Sequence, residues 1–373
     1  MEGISKYQIA VMIILFQIGS TPLFALGSKA KQDSWIAMFV AAAAGLLLVL
    51  MFLSIQRKAP DHDLIGILRI CFGNVCGNLL GGCFVIYFAY ESMRNVRDFG
   101  EITTITLLSR TPQFIIMLFV VLLAAYAIAM GIETFCRVVE ILTPIVAVSY
   151  MTLIILIISS KLLSVDRLLP VLENGIAPVL RAAFPDIISF PYGQMVIFFM
   201  MWRLLNDKTR MQHVTIVAYI SVALFLIVMN MLNVMVLGPS LLGNSTLPFL
   251  QTVQLIQVGE IFERLDVFVT LLLFLGLFVK MTAFYWAATY AVSQLAGSKS
   301  KFPIFYIGSV IFITSFIEPN YTYHVWLGLE VSVKLFPIFQ ILLPLAMFIA
   351  MLFRKPPATG NDEEAPSIDH ASG

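Results

Sequence analysis

The sequence has few charged residues for its length. Only 12% of its 373 residues are charged, whereas 60% are hydrophobic, and the mean hydropathy is +0.92. A soluble domain has roughly 25% charged residues, which cover its surface. Because this chain cannot hide so many apolar side chains from water, its composition predicts an integral membrane protein. The formal net charge of +1, without any block of basic residues, gives no indication of nucleic-acid binding.

Motifs of enzymes, metal sites and disulfide frameworks are also missing. The chain has no HExxH, GxSxG, P-loop or GxGxxG pattern, so we expect no enzyme activity and no cofactor. An intramembrane hydrolase is the weaker alternative. Its four histidines are too scattered for a metal site, and its four cysteines, without CxxC spacing, are typical of small buried apolar side chains. These residues are His62, His213, His324 and His370, and Cys71, Cys76, Cys83 and Cys136.

Long apolar runs make up most of the chain. Runs of about 20 apolar residues can cross a bilayer as helices, and no segment alternates with the two-residue period of a barrel strand. The sequence therefore predicts an all-α membrane fold with about ten transmembrane helices in two sets of five. The first set lies near Tyr7 to Ser28, Ser34 to Ile55, Leu79 to Leu108, Pro112 to Met130, and Thr134 to Ser160. The second lies near Arg181 to Leu205, Val214 to Leu237, Phe262 to Leu295, Phe302 to Ile317, and Val331 to Phe353.

We predict a single permease-like transmembrane domain. It covers residues 1–355, with a first repeat at about 7–160 and a second at about 175–353. After Lys355 the composition turns to proline, glycine and acidic residues, which predicts a disordered cytoplasmic tail over residues 356–373.

The distribution of lysine and arginine orients this array. With the N-terminus inside, twelve of these residues fall on the cytoplasmic side and six on the outer side, so both termini are predicted to be cytoplasmic. We expect short interfacial helices at Asp61 to Cys76 inside and at Val165 to Ala183 outside. The outer loop from Gly238 to Gly259 contains a helical run, Leu247 to Val258, that would fold down as a lid.

Two spans are interrupted at corresponding places in the two sets. The first contains Gly19, Ser20, Thr21 and Pro22, and the sixth contains Ser189, Phe190, Pro191, Tyr192 and Gly193. Lipid cannot satisfy the backbone groups that such breaks expose, so the breaks must face protein or a polar cavity. Paired broken helices are typical of a midplane binding site, where free N–H groups bind a carboxylate or hydroxyl and free carbonyls an ammonium. The alternative is a pair of ordinary proline kinks.

Ionisable residues inside the spans are the other candidates for function. The third span contains Glu91, Arg94, Arg97, Asp98 and Glu101, in which residues four apart can pair along the helix, unless one end of this long span projects into water. Lys280 lies deep in the eighth span, and no acidic residue is within one turn. The pairs Arg264 with Asp266 and Glu330 with Lys334 are interpreted as interfacial anchors.

These residues resemble a known family, the B subunits of the GerA-type nutrient germinant receptors of endospore-forming bacteria. This permease-like family is placed in the amino acid, polyamine and organocation transporter superfamily. The resemblance extends over essentially the whole chain. Its most specific parts are Ile4 to Gln8, Arg94 to Glu101 with Ser109 to Pro112, Phe190 to Gly193, and Glu263 to Asp266 with Lys280. A carboxylate is frequent after the Pro-aromatic-Gly turn in the family, whereas this chain has the uncharged Gln194, so the resemblance does not imply the charge type of the ligand.

The resemblance implies a five-plus-five inverted repeat with the ligand site between the broken first and sixth helices. We predict that the pocket is lined by Gly19, Ser20, Thr21, Pro22, Pro191, Tyr192, Gly193 and Gln194, with Tyr87 and Glu91 in its wall. It also implies a germinant receptor subunit in the inner membrane of the spore, surrounded by lipid and assembled with A and C subunits. A small nutrient, an amino acid or a sugar, would bind and trigger germination. The alternative is an autonomous secondary transporter of amino acids.

Lys280 is assigned a role by the same resemblance. In related folds, the first and eighth helices hold a coupling sodium ion, and a lysine ammonium can substitute for it. We therefore expect Lys280 to bond carbonyl groups near Ser20 and Thr21 and to make ligand binding independent of sodium. The alternatives are an ion pair with Glu91 or another carboxylate, or snorkelling toward the cytoplasmic face.

Overall fold

The computed structural model describes residues 3–256, 265–297 and 300–353. In this part of the chain, the backbone makes ten helical passages. The predicted tail, Arg264 and the end of the predicted outer loop lie outside the described residues. The helices are α1 (Lys6–Ile18), α2 (Ser34–Lys58), α3 (Leu64–Thr106), α4 (Gln113–Ala129), α5 (Ile132–Ser159), α6 (Ile176–Ala182), α7 (Met211–Asn244), α8 (Pro248–Gln254), α9 (Leu265–Ala296), α10 (Phe302–Thr314), α11 (Tyr321–Trp326), α12 (Val333–Pro337) and α13 (Leu343–Phe353).

The helices have the length and composition of membrane spans. Seven segments are long and apolar enough to cross a bilayer, and α4 and α10 are shorter apolar helices. Exposed apolar side chains such as Phe119 and Ile141 suit a surface in contact with lipid. The chain is a multi-pass membrane protein.

The start and end of α1 follow from local sequence. Ser5 accepts a hydrogen bond from the backbone of Gln8 and the Gln8 side chain accepts one from the Ser5 backbone, forming a capping box. Just before it, Ile4 exchanges two backbone hydrogen bonds with Leu204 and Asn206, which fixes the N-terminal segment to the end of the sixth passage. The helix ends at Gly19.

Helices α3 and α9 form the centre of the bundle and pack along each other. Helix α3 begins where the Asp63 carboxylate accepts a hydrogen bond from the Gly66 backbone, and it is interrupted at Gly73, whose φ is +80°. The interfacial helix predicted at Asp61 to Cys76 is thus the first part of one longer segment. Only a residue without a side chain adopts this φ easily, which explains why the direction changes here.

At the end of the bundle opposite the start of α3, the connection that follows α5 contains two short helical pieces. Residues Val165–Leu168 form a 3₁₀ turn, and α6 starts after Gly175. Helix α7 continues past a break at Gly238, and α8 then packs against α7, α9 and the turn Thr21–Leu23. In the described part of the predicted outer loop, α8 therefore covers the region just after the break in α1.

Candidate functional site

The first break packs closely against α9. After α1 ends, Thr21–Leu23 form a single 3₁₀ turn, and the Thr21 hydroxyl donates to the Gln17 carbonyl at 2.6 Å. A Cβ atom at Gly276 would lie 2.8 Å from the carbonyl oxygen of Gly19. One at Gly19 would lie 2.8 Å from Cδ of Lys280. Glycine at both positions lets the two backbones approach where α1 changes direction.

The second break lies in the sixth passage. A π-helical turn covers Ala183–Ile187, the chain turns at Phe190 and Pro191, and Tyr192–Met200 continue as a fully buried 3₁₀ segment. Long 3₁₀ and π segments are uncommon and often occur at functional sites. A Cβ atom at Gly193 would lie 2.2 Å from Oε1 of Gln340 and 2.9 Å from the Ile188 carbonyl oxygen. The sixth passage therefore meets the last passage closely at this point.

Helix α3 contributes polar side chains that connect to the second break. The Gln194 amide donates to Oε2 of Glu91 at 2.9 Å, and the Gln340 amide donates to the Tyr87 hydroxyl at 2.7 Å. The Tyr87 ring also stacks on Phe339 with a centroid distance of 4.9 Å. These contacts fix the sixth and last passages to α3 through hydrogen bonds in the interior.

A cavity of about 40 Å³ lies where these elements meet. A buried water needs roughly 10–15 Å³, so the cavity has room for a few waters but not for an amino acid or a sugar. Oε1 of Glu91 and Oδ1 of Asn95 are buried acceptors that have no hydrogen-bond partner within residues 3–256, 265–297 and 300–353. The cavity is lined by Ser20, Phe24, Glu91, Arg94, Asn95, Asp98, Phe190, Gly328, Leu329, Val333 and Phe336.

The ammonium of Lys280 lies between aromatic rings of both breaks. Its Nζ is 4.5 Å from the ring centroid of Phe190 and 5.4 Å from that of Phe16. It is fully buried and has no hydrogen-bond partner among the described residues. The expected bonds to the carbonyl groups of Ser20 and Thr21 are therefore not formed, because the aromatic faces take up the charge.

A network of buried charges closes one side of the cavity. Arg94 donates to the His324 carbonyl at 2.6 Å and pairs with Glu318 at 3.4 Å. His324 in turn contacts Glu318 and lies 3.1 Å from Asp98. Burial raises the pKa of Glu318, but the His324 hydrogen bond and the nearby arginines outweigh it, so the pKa lies below its usual range. The connection between α10 and α11 is thereby attached to α3.

The predicted pairing within α3 is only partly correct. Arg97 pairs with Glu101 at 2.8 Å, as its spacing predicts. Arg94 and Asp98 do not pair with each other. Arg94 pairs with Glu318 and Asp98 contacts His324, and both of these partners are distant in sequence. The pair Glu330 and Lys334 forms at 3.4 Å on the surface, which agrees with its interpretation as an anchor.

The predicted pocket residues do not all face the same space. Ser20 and Glu91 line the central cavity, and Gln194 contacts Glu91. Thr21 and Pro22 instead face a separate cavity of about 20 Å³ beside α7. Gly19, Pro191 and Gly193 form the breaks themselves. The Tyr192 ring packs on Tyr219, and the Tyr87 hydroxyl accepts a hydrogen bond from Gln340.

Sequence reasoning missed the contribution of the last passage. Gly328, Val333 and Phe336 line the cavity, and Gln340 contacts both Tyr87 and Gly193. In the sequence, Gln340 is a polar residue in an otherwise apolar run, and this could have indicated that the last passage contributes to the site. The described residues contain no group of three or more histidine, cysteine or acidic residues that could hold a metal ion.

Comparison with known proteins identifies the family. A family model described as "Spore germination protein" matches residues 3–324. The chain belongs to this spore germination permease family. It is 33% identical over 355 residues to spore germination protein KB of Bacillus subtilis (strain 168), covering 94% of this chain and 95% of that protein. It is 26% identical to spore germination protein YndE of the same organism, covering 94% and 97%.

Two solved structures share the fold. MHP1, a nucleobase-cation-symport-1 family transporter with bromovinylhydantoin bound, matches with a TM-score of 0.62 at 14% identity, over 91% of this chain and 78% of that one. MhsT in complex with L-phenylalanine matches with a TM-score of 0.63 at 13% identity, over 93% and 97%. At these identities the likeness shows the fold alone. The predicted inverted-repeat membrane fold with broken first and sixth helices is confirmed.

Proposed function

We propose that this family member is the ligand-sensing membrane subunit of a germinant receptor, and that a small nutrient, an amino acid or a sugar, binds in the central cavity. One observation supports the proposal above all. Both helix breaks reach the same buried cavity, through Ser20 and Phe190, and polar atoms of its wall have no partner among the described residues. Buried polar groups without partners are unfavourable, so waters or a ligand must satisfy Glu91 and Asn95. Family membership and the transporter fold agree with a permease-like binding role.

The cavity as described corresponds to a closed state. Its small volume means that the network around Arg94 must separate from the α10–α11 connection before a nutrient enters. Gly19, Ser20, Thr21, Pro22, Pro191, Tyr192, Gly193 and Gln194, with Tyr87 and Glu91, would then form the enlarged pocket. Contacts from Phe336 and Gln340 complete it.

The receptor role also requires partners and a location. In this proposal the chain assembles with an A subunit and a lipoprotein C subunit in the inner membrane of the spore. Ligand binding there would trigger germination. Membership of a family of spore germination proteins supports this role, and the rival role, an autonomous amino acid transporter, is supported by the fold shared with MHP1 and MhsT.

Uptake by the purified chain distinguishes receptor from transporter. We reconstitute the chain alone into liposomes and measure accumulation of radiolabelled amino acids and glucose, with empty liposomes as the control. The receptor proposal predicts no concentrative uptake, because a sensing subunit changes conformation to signal and does not carry its ligand through a coupled transport cycle. Robust accumulation above the equilibrium level would instead establish the transporter.

Labelling of introduced cysteines tests the orientation. Asn244 is exposed at the end of α7, and His62 lies at the opposite end of the bundle, before α3. In a background without the four native cysteines, a membrane-impermeant maleimide should label the Asn244→Cys variant in intact cells. It should reach the His62→Cys variant only after permeabilisation. The reverse pattern would place both termini outside.

Lys280 completes the proposal as a resident cation. Its ammonium contacts rings from both breaks, and its side chain packs against Gly19. We propose that it holds the two broken helices together and replaces a coupling ion. Glu91 and Asp98 attract its charge through space, although no ion pair forms with it among the described residues.

A further inference from the structure

A second, larger cavity lies at the end of the bundle where α1 begins. Its volume is about 770 Å³, within the range of roughly 300–1,000 Å³ that small-molecule sites have. It lies between the α4–α5 turn, the last turns of α9 and the first turn of α10, with Arg203 at its inner wall. Residues 298–299 lie outside the described part of the chain.

The charges around this cavity favour an anion. Among the described lining residues, Arg203 and Lys301 are cationic and none is acidic. Arg203 is paired with Asp63 at 3.2 Å and donates to the Tyr290 hydroxyl, which offsets part of its charge. Among the described residues, the Lys301 ammonium donates to the Ala129 carbonyl oxygen alone, at 3.1 Å. An ammonium has three donors, so Lys301 has donors left for a ligand.

An unpartnered hydroxyl supplies a second, independent indication. Thr289 is 5% exposed, lines the cavity, and its hydroxyl has no hydrogen-bond partner among the described residues. Beside it, Trp286 and Tyr290 stack with a centroid distance of 5.3 Å, and the Arg203 guanidinium lies over the Tyr290 ring. A buried threonine hydroxyl that lines the same cavity as a guanidinium and an ammonium adds to the kinds of donor that surround phosphate groups.

The rim of the cavity indicates where the rest of the ligand lies. Met130 is 53% exposed and lines the cavity, and Phe302, next to Lys301, is 72% exposed. Apolar and aromatic residues exposed beside basic residues are typical of the level of lipid headgroups. Basic pockets between transmembrane helices bind anionic headgroups at this level.

From these observations we propose that this cavity binds the phosphate group of an anionic phospholipid. In this proposal the phosphate lies between Lys301, Arg203 and the Thr289 hydroxyl. The acyl chains extend out of the cavity along Met130 and Phe302. The site is separate from the central cavity and does not depend on the nutrient-binding role. A soluble phosphate ester has the same headgroup chemistry, and the experiment below distinguishes it.

Thermal unfolding of the purified chain in detergent tests the proposal. The melting temperature is measured with phosphatidylglycerol, with phosphatidylcholine, and with glycerol 3-phosphate. We expect phosphatidylglycerol to raise it, phosphatidylcholine to leave it nearly unchanged, and glycerol 3-phosphate to raise it less, because that ester lacks the chains. An equal rise with glycerol 3-phosphate, lost on mutation of the site, would support the phosphate site and assign it to a soluble ligand.

Three variants make the test specific to the site. Lys301→Gln and Thr289→Val should each reduce the phosphatidylglycerol-induced rise, and Lys6→Gln, an exposed lysine at the same end, should retain it. Thr289→Val should not lower the melting temperature without lipid, because it removes an unpaired buried hydroxyl. A rise of wild-type size in both site variants, or no rise with any phosphate compound in the wild type, would overturn the proposal.

Discussion

The Gly193→Leu and Gly19→Leu variants are expected to accumulate in the membrane but to lose most of their response to nutrient. At Gly193, a side chain would overlap Gln340 and approach the Ile188 carbonyl, and at Gly19 it would overlap Lys280. In the proposed pocket these side chains would also fill space beside the exposed backbone of the breaks. Strain of about 1–3 kcal/mol in the ligand-bound state lowers the apparent affinity about 5- to 150-fold. Nutrient dose–response of germination, together with protein level by immunoblot, measures this.

The matched control is Gly82→Leu. Gly82 lies in α3, and a Cβ atom there would meet nothing within 4 Å, so the same substitution is expected to be silent. Binding of radiolabelled nutrient to the purified variants separates loss of binding from loss of assembly with partners. If both break variants respond to nutrient at wild-type concentrations, the breaks are only kinks and the proposed site is wrong.

The Lys280→Met variant is expected to fold at least as well as the wild type and to respond much more weakly. Methionine has a similar length and removes a charge whose burial in a span costs about 2.5–3.5 kcal/mol. It also removes a contact with the rings of Phe190 and Phe16, and a desolvated contact of this type contributes about 2 kcal/mol. In the proposed role this contact supports the ligand-bound arrangement, so its loss would weaken nutrient potency about thirty-fold. Germination dose–response measures the change.

Two comparisons show whether the nutrient response depends on the charge of Lys280. Lys334→Met, at an exposed lysine of α12, controls for loss of a positive charge elsewhere. The wild type should respond equally in sodium and in choline buffers, because the resident ammonium takes the place of the ion. A wild type that needs sodium, or a normal response in Lys280→Met, contradicts the proposed role.

The sequence predicted the spans and the two breaks because both depend on local features. Apolar run length determines which segments can cross a membrane, and Gly19 with Pro22, or Pro191 with Gly193, interrupts a helix wherever it occurs. The contacts between the breaks depend on distant residues. Nothing near Lys280 in sequence indicates that Phe190 provides the ring over its ammonium.

The same limit explains the errors in the charged stretch of α3. Spacing of four residues predicts that Arg94 and Asp98 pair, as Arg97 and Glu101 do. Arg94 and Asp98 instead bind Glu318 and His324, more than 200 positions later in the chain. Pairing along one helix is local, whereas this network depends on how the last two passages pack on α3. Assignment of the pocket residues stays a prediction until binding is measured.

The small volume of the central cavity has a consequence for the timing of the response. In the proposed mechanism a nutrient does not fit the closed cavity, so its capture would wait for an opening motion, and extra nutrient would not shorten that wait. The apparent affinity also contains the fraction of molecules that are open, so it is weaker than the affinity of the open pocket itself. At saturating nutrient, the rate of binding in this mechanism would therefore level off at the rate of opening and would not rise further with concentration.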